Sequence, residues 1–144
     1  MAHEDAGHYA AKHPQGIELN TAIAAEIKSQ ARQGSLSCAA AHTIAETHGV
    51  TPAEVGRNVD LMEVRLTKCQ LGLFGYTPEK KVVTPAEKVT TALQAAILAA
   101  ASDGRLSCES AWQVATAQGI KRMDLSAACE ALGLKVKPCQ LGAF

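Results

Sequence analysis

Residues 36–74 read LSCAAAHTIAETHGVTPAEVGRNVDLMEVRLTKCQLGLF, and residues 106–144 read LSCESAWQVATAQGIKRMDLSAACEALGLKVKPCQLGAF. The two stretches align without a gap at a constant offset of 70 residues, so that Gly49 matches Gly119 and Phe74 matches Phe144. Both end in Cys-Gln-Leu-Gly-x-Phe. A gapless duplication of this length makes each copy a structural unit, and two copies form a duplicated domain, not a solenoid.

Each copy also contains small and aliphatic residues in the order Ala-x3-Gly-x5-Val or Leu. The pattern occupies Ala45, Gly49 and Val55, and in the second copy Ala115, Gly119 and Leu125. This spacing resembles the helix-turn-helix family, in which a small residue lets two helices approach, a glycine opens the turn and an aliphatic residue seats the second helix. The resemblance implies two tandem helix-turn-helix-like domains.

Periodicity and capping residues predict three helices in each copy. Leu19, Ile23 and Ile27 recur at helical spacing and predict the first helix, which Gln33-Gly34 ends. Residues 84–87, Thr-Pro-Ala-Glu, predict the start of its counterpart. Ser37 and Ser107 are the expected N-caps of the second helices. Thr-Pro-Ala-Glu at residues 51–54 predicts the start of the third helix as a capping box.

A short strand is expected after each third helix, because residues 63–67 and their counterparts 133–137 alternate polar and apolar. A lone strand leaves backbone groups unpaired, and the simplest partner is the strand of the other copy, near a pseudo-twofold axis. The predicted fold is therefore mainly α, with two pseudo-twofold-related domains of three helices and one strand. The predicted segments are an N-terminal tail (1–16), the first repeat (17–76), a linker (77–83) and the second repeat (84–144).

The tail contains His3, His8 and His13 among small and polar residues. Their spacing by five does not stack side chains on one helix face. Three interpretations are open: a mobile tail, a segment with incidental metal affinity, or a segment that docks against the body through Tyr9.

Composition restricts the class of protein. The chain has 144 residues, is 47% hydrophobic and 3% aromatic, and has no formal net charge. No apolar run approaches the roughly 20 residues that span a membrane, and the N-terminus lacks a signal segment. We therefore expect a cytoplasmic protein without a membrane partner. No phosphate-binding glycine loop, paired-carboxylate motif or nucleophile with a repeated base is present, so we expect neither enzymatic activity nor a cofactor.

Double-stranded DNA is the first candidate partner, because the start of the third helix faces the major groove in helix-turn-helix proteins. Arg57 and Asn58 have side chains that recognise guanine and adenine edges. Basic residues at the third-helix and strand positions would contact phosphates. The predicted DNA-binding set is Thr51, Arg57, Asn58, Lys68, Lys121, Arg122 and Lys137.

Charge argues against this partner. Residues 19–76 contain five basic and five acidic side chains, and residues 83–144 contain six basic and five acidic. A neutral domain binds DNA only if its positive charge lies on one face. Glu54, Asp60 and Asp124 lie on the presumed DNA-reading helices and would repel phosphates.

The repeated cysteines form a second candidate site. They are Cys38 and Cys69 in the first copy and Cys108 and Cys139 in the second. Structural zinc and iron–sulfur sites usually take two ligands from one Cys-x2-Cys element, which is absent. Three interpretations remain: small core residues, a metal site formed by four thiolates, or thiols made reactive at helix N-termini.

The ending Cys-Gln-Leu-Gly-x-Phe is expected to be a packing tail, anchored by Leu71 and Phe74, with a turn at Gly72. As a whole, residues 19–144 resemble small repeat proteins of anaerobic bacteria with this ending and a helix-turn-helix-like core, a resemblance that implies fold and no established activity. The leading hypothesis is a DNA-binding or transcription-regulating protein. The competing hypothesis is a non-enzymatic protein-interaction scaffold that keeps the fold without binding DNA and holds its partner on the Cys-Gln-Leu-Gly face, with the repeated cysteines as an optional metal site.

Overall fold

The computed structural model describes residues 8–144 and is mainly helical, with six α-helices and a few short strands in that range. The described residues form two compact units. Unit 1 comprises the residues up to Cys69 together with Leu141–Ala143, and unit 2 comprises Gln70–Gln140 together with Phe144. The expected mainly α fold is confirmed at this level.

Unit 1 contains the helices α1 (Thr21–Gln30), α2 (Cys38–His48) and α3 (Pro52–Leu61). Each begins at a polar side chain that accepts a hydrogen bond from a free backbone amide of the first turn. Ser37 caps α2 by accepting from the Ala40 amide, and Thr51 caps α3 by accepting from the Glu54 amide. Both caps are confirmed. The Glu54 carboxylate contacts Arg57.

Unit 2 contains α4 (Thr91–Ala100), α5 (Cys108–Gln118) and α6 (Arg122–Ala131). Ser107 caps α5 by accepting from the Ser110 amide at 3.0 Å, as expected. Lys121 occupies the N-cap position of α6 without a side-chain hydrogen bond of its own to the helix. In each unit the second and third helices pack together and the first helix packs on the second.

Gly49 and Gly119 end α2 and α5 in the left-handed conformation, with φ of 64° and 67°. Each glycine amide bonds back to the last turn of its helix. A side chain disfavours this conformation, which explains glycine at both positions. The expected turn glycines are confirmed.

The expected strand pairing is wrong. β2 (Arg65–Thr67) pairs in parallel with β1 (Ser35–Ser37) of the same unit, with Leu36 opposite Leu66. β4 (Lys135–Val136) pairs in the same way with β3 (Arg105–Leu106). The residues just before each second helix are extended and offer the free backbone groups that the later strand needs. Each unit thus has two short strands instead of one.

The starts of both first helices also differ from expectation. α1 begins at Thr21 because the Asn20 side chain accepts from the Ala22 and Ile23 amides, and Leu19 precedes it in an exposed position. The residues 84–87 do not open α4, whose N-cap is Thr90. The Ala86 amide instead donates to the Ala127 carbonyl at 2.9 Å.

The two tails pack as anchors, as expected. In unit 2, Leu71 is fully buried, Phe74 is buried, and the Phe74 and Phe144 rings meet edge to face at 5.7 Å. Gly72 has a φ of 74°. In unit 1, Leu141 is 2% exposed and packs with the core. The core of that unit consists mainly of Ile23, Ile27, Leu36, Ile44, Val55 and Val59.

The start of the described chain docks on unit 1. A 3₁₀-helix spans Tyr9–Lys12, and the Tyr9 side chain is 5% exposed. Docking through Tyr9 is thus the interpretation of residues 8–13 that the structure favours. His3 and the rest of residues 1–7 lie outside the described residues.

Candidate interaction surfaces

The face of α3 that remains exposed is narrow. Successive helical residues rotate by about 100°, which places Ala53, Glu54, Arg57 and Leu61 within an arc of roughly 100°. These four are exposed or half-buried. The remaining positions from Val55 to Asp60 are buried. A helix that enters the major groove must protrude with a wide free face, and α3 does not have one.

The second copy's tail covers one side of α3. A Cβ atom built on Gly56 would lie 1.8 Å from the carbonyl oxygen of Leu141 and 2.6 Å from its carbonyl carbon. The tail backbone therefore lies directly against the α3 backbone at Gly56. Lys12 Nζ also donates to the Gly142 carbonyl at 3.1 Å. Nothing in the sequence pattern indicated that this tail would lie on the first repeat's third helix.

Asn58 has a structural role, and its side-chain amide does not face solvent. Its side chain is fully buried, with Oδ1 accepting from the Asn20 amide and Nδ2 donating to the Glu54 carbonyl, both at 2.8 Å. The prediction that Asn58 recognises adenine is therefore corrected. The amide joins the start of α1 to the first turn of α3.

Acidic groups on and after α3 hold the docked N-terminal segment. Asp60, 4% exposed, lies 3.2 Å from Lys12 Nζ and 2.8 Å from His13 Nε2. Glu63 accepts from the backbone amides of Tyr9 and Ala10 at 2.9 and 2.8 Å. The hydrogen bond from the Ala10 amide lowers the pKa of the Glu63 carboxyl, and the hydrogen bond from the Tyr9 amide lowers it further. Desolvation raises this pKa and offsets part of the effect. Hydrogen bonds to the ionised form have this effect.

In unit 2, α6 is similarly restricted. The α6 positions that match the exposed arc of α3 are Met123, Asp124, Ala127 and Ala131, which include one acidic and no basic side chain. Arg122, a predicted phosphate contact, stacks on the Trp112 ring with its guanidinium carbon 3.6 Å from the centroid. It also donates to the Gln70 side chain. This arginine holds the first copy's tail against α6.

The other predicted DNA contacts are partly accessible. Thr51, the N-cap of α3, is exposed, and Arg57 is half-buried and paired with Glu54. Lys68, Lys121 and Lys137 are exposed. Within unit 2, Lys137 lines a shallow groove near the start of α5, together with Arg105 and Asp103. Lys121 does not line that groove, so the two predicted lysines of unit 2 do not share it.

Four of the five cysteines are buried. Cys38, Cys69, Cys108 and Cys129 are buried, and Cys139 is partly exposed. The Gln140 side-chain amide donates to the Cys108 sulfur at 3.3 Å. Burial raises the pKa of the Cys129 thiol to about 11. Residues 8–144 contain no group of three or more His, Cys, Asp or Glu side chains arranged to hold a metal ion.

Helix α4 has an uncharged surface that no sequence motif marked as a candidate site. The helix reads TALQAAILAA and has no charged residue. Only Ile97 is buried, while Ala92, Ala95 and Ala99 are exposed and Leu98 is 50% exposed. These four exposed apolar residues are called the α4 face below. The absence of charge over these ten residues could have been noticed in the sequence. Only the structure shows which of their side chains face solvent.

At the positions that match the α4 face, helix α1 has two alanines and two polar residues. Ala22 and Ala25 match Ala92 and Ala95, whereas Lys28 occupies the position of Leu98 and Ser29 that of Ala99. All four of these α1 residues are exposed. The two exposed surfaces therefore differ at Leu98 and Ala99.

Comparisons with known proteins identify no similar protein: no family model, curated protein or solved structure matches the chain. Among residues 8–144, no helix has both the length and the apolar character required to cross a membrane.

Proposed function

We propose that the chain is a non-enzymatic protein-interaction module whose docking element is the α4 face. The observation that supports this proposal is the half-exposed Leu98 on a helix without charge. Burying apolar surface contributes about 25 cal/mol per Å², so an exposed leucine favours association when a partner covers it. Single exposed apolar residues are common on proteins, but contiguous ones are typical of binding surfaces.

The first repeat provides an internal control for this interpretation. α1 and α4 descend from one duplicated sequence and hold equivalent positions. The fold itself accepts lysine at residue 28, so it does not require leucine at residue 98. The half-exposed Leu98 is therefore available for contact with another molecule.

DNA binding by two helix-turn-helix units in one chain is the second candidate function. It is favoured by the left-handed glycines between the second and third helices and by the exposed Lys68, Lys121 and Lys137. It is opposed by the outward positions of α3 and α6, which together have one basic side chain and two acidic ones. Phosphate contacts dominate affinity for DNA, so these helices offer little of the required attraction.

The two functions are separated by fluorescence anisotropy with mixed-sequence duplex DNA, titrated from about 50 to 200 mM salt. We expect no binding at the lowest salt. The matched variant is Lys121→Gln with Lys137→Gln, which removes two exposed charges of unit 2 outside α4. Binding that weakens steeply with salt and is reduced in this variant would make DNA binding the better proposal.

The docking role of α4 is tested by placing a photo-crosslinking amino acid at position 98 or, as the matched control, at position 28. Both positions are solvent-facing in equivalent helices. After irradiation of cells that express the chain, we expect protein adducts of raised mass from position 98 and none above background from position 28. Equal yields at the two positions would contradict the proposal.

A further inference from the structure

We infer that Cys108 and Cys139 are an oxidation site of this chain, at which hydrogen peroxide converts the two thiols into an intramolecular disulfide. The inference goes beyond the proposed function, because it concerns a part of unit 2 that does not include the α4 face. It rests on the short distance between the two residues, on their unequal exposure and on a comparison of the two repeats.

The backbone brings the two cysteines within reach of a disulfide bond. The Cys108 amide donates to the Pro138 carbonyl at 3.0 Å, and Pro138 directly precedes Cys139. Bond lengths and planar peptide geometry then limit the separation of the Cys108 and Cys139 Cα atoms to about 7 Å. Disulfides usually join Cα atoms that are about 4.4–6.8 Å apart. A bridge between the two residues therefore needs little movement of the backbone.

The Cys108 sulfur lies next to the segment that contains Cys139. The side-chain amide of Gln140, the residue after Cys139, donates to Cys108 Sγ at 3.3 Å. The Cys139 backbone amide donates to the Phe144 carbonyl at 2.9 Å, which fixes the course of the tail there. Cys108 is also the first residue of α5, where the helix dipole favours a negatively charged sulfur. These contacts hold a nucleophilic sulfur beside the tail.

The two thiols differ in exposure, and this difference assigns the order of their reactions. Cys139 is partly exposed, so a small oxidant reaches it from solvent. Cys108 is only 6% exposed, so its nearest reaction partner is the oxidised neighbour. An accessible cysteine beside a resolving cysteine is the usual arrangement of oxidation-sensitive thiols. In the first repeat, the matching Cys38 and Cys69 are both buried and lack an equally accessible thiol.

The comparison of the two repeats favours a chemical role over packing alone. Cys129 in α6 corresponds to Val59 in α3, and both residues are buried. The fold therefore accepts an aliphatic side chain in place of a cysteine that only packs. At the positions of Cys108 and Cys139, both copies have cysteine, although most of the other aligned residues differ.

Hydrogen peroxide is the only co-reactant that the disulfide requires. The Cys139 thiol attacks the peroxide O–O bond, becomes a sulfenic acid and releases one water molecule. The Cys108 thiolate then attacks the Cys139 sulfur, the S–S bond forms, and the sulfenic oxygen leaves as a second water molecule. Two electrons pass from the sulfur atoms to the peroxide, and a dithiol reductant returns them.

The test is to oxidise the purified full chain with hydrogen peroxide, denature it and alkylate the remaining thiols. Intact-mass spectrometry without reductant should show one alkyl group per cysteine in untreated protein and two fewer in oxidised protein. Trypsin should then release residues 106–121 linked to residues 136–144, and dithiothreitol should separate the two peptides. Cys38 and Cys69 should still be alkylated when this link is complete.

Three variants make the test specific. Cys129→Val, which copies residue 59, is the matched control and should form the link at the wild-type rate. Cys108→Ser should stop at a sulfenic acid on Cys139, which a dimedone probe labels. Cys139→Ser should abolish both the link and the fast oxidation, and its partly exposed position keeps the test valid if Cys108→Ser fails to fold. Circular dichroism checks the folding of each variant.

Three results would overturn the inference. The first is full alkylation of the wild-type chain after oxidation. The second is a sulfinic acid at Cys139 in place of the link. The third is a link that joins other cysteines or two separate chains.

Discussion

The Gly56 backbone in α3 lies so close to Leu141 that a Cβ atom at residue 56 would be 1.8 Å from the Leu141 carbonyl oxygen. Gly56 does not have a positive φ, so it is required by this backbone approach and not by local conformation. The matching residue in α6 is Ser126, which is buried, with an Oγ atom that makes no hydrogen bond to the described residues. Equivalent positions of the duplicated sequence thus have different steric demands.

Gly56→Ala should destabilise the protein, because the methyl group and the tail carbonyl cannot occupy the same space. We expect a loss of about 1–3 kcal/mol in the free energy of unfolding, the range typical of overpacking. Chemical denaturation measures it. Ser126→Ala is the control and should change stability by less than about 1 kcal/mol, since its hydroxyl has no partner to lose. Equal stability of Gly56→Ala and the wild type would show that the tail moves away from α3 without cost.

The repeat and its local signals predicted the helical framework well. Ser37 and Ser107 as caps and Gly49 and Gly119 as turn residues follow from short-range chemistry that acts within a few residues. These features can be predicted from the sequence because each capping or turn residue acts on backbone groups only a few positions away. Duplication strengthened the prediction, since each signal occurs twice in register.

Long-range contacts were not predictable by the same reasoning. The strand Ser35–Ser37 is three residues long and has no periodicity that distinguishes it from the approach to a helix cap. Placement of Leu141 against Gly56 depends on which helix lies near the tail after folding. For Asn58, residue type pointed to adenine recognition, and only its burial showed that the amide serves the fold.

Asn58→Ala should destabilise unit 1. The change removes the two part-buried hydrogen bonds that Asn58 makes to the Asn20 amide and the Glu54 carbonyl. Each such bond contributes about 0.5–1.5 kcal/mol, so we expect a total loss of about 1–3 kcal/mol. Chemical denaturation again gives the free energy of unfolding. Arg57→Ala, at the adjacent half-exposed position, is the control and should cost less than about 1 kcal/mol as a partly exposed ion pair. Similar losses in the two variants would refute the structural role of Asn58.

Docking of residues 8–13 should depend on pH through Glu63. Because two backbone amides bind its carboxylate, the pKa of Glu63 is lower in the folded protein than its ordinary value of 4.5. Its contribution is fully present above pH 4.5 and is lost as the pH falls through the lower, folded pKa. Amide shifts of Tyr9 and Ala10 followed by NMR should report release in that acidic range.

Glu63→Gln isolates this carboxylate from others that protonate at the same pH. We expect the variant to weaken docking already at neutral pH and to flatten the acid transition of the Tyr9 and Ala10 amides. Glu46→Gln, an exposed carboxylate on α2, is the control and should preserve the wild-type transition. A wild-type transition in Glu63→Gln would show that Glu63 does not cause the pH dependence.

The five thiols should react with alkylating reagents in an order set by burial. Cys139 is partly exposed, whereas the other four are buried, and a pKa of about 11 keeps the Cys129 thiol protonated at pH 8. The thiolate is the nucleophile, so native protein treated with iodoacetamide at pH 8 should be modified first at Cys139 and last at Cys129. Intact-mass and peptide mass spectrometry would show one early adduct, and denatured protein would show five. A Cys139→Ser variant that still gained one fast adduct would place the reactive thiol elsewhere and favour a redox role for a repeated cysteine.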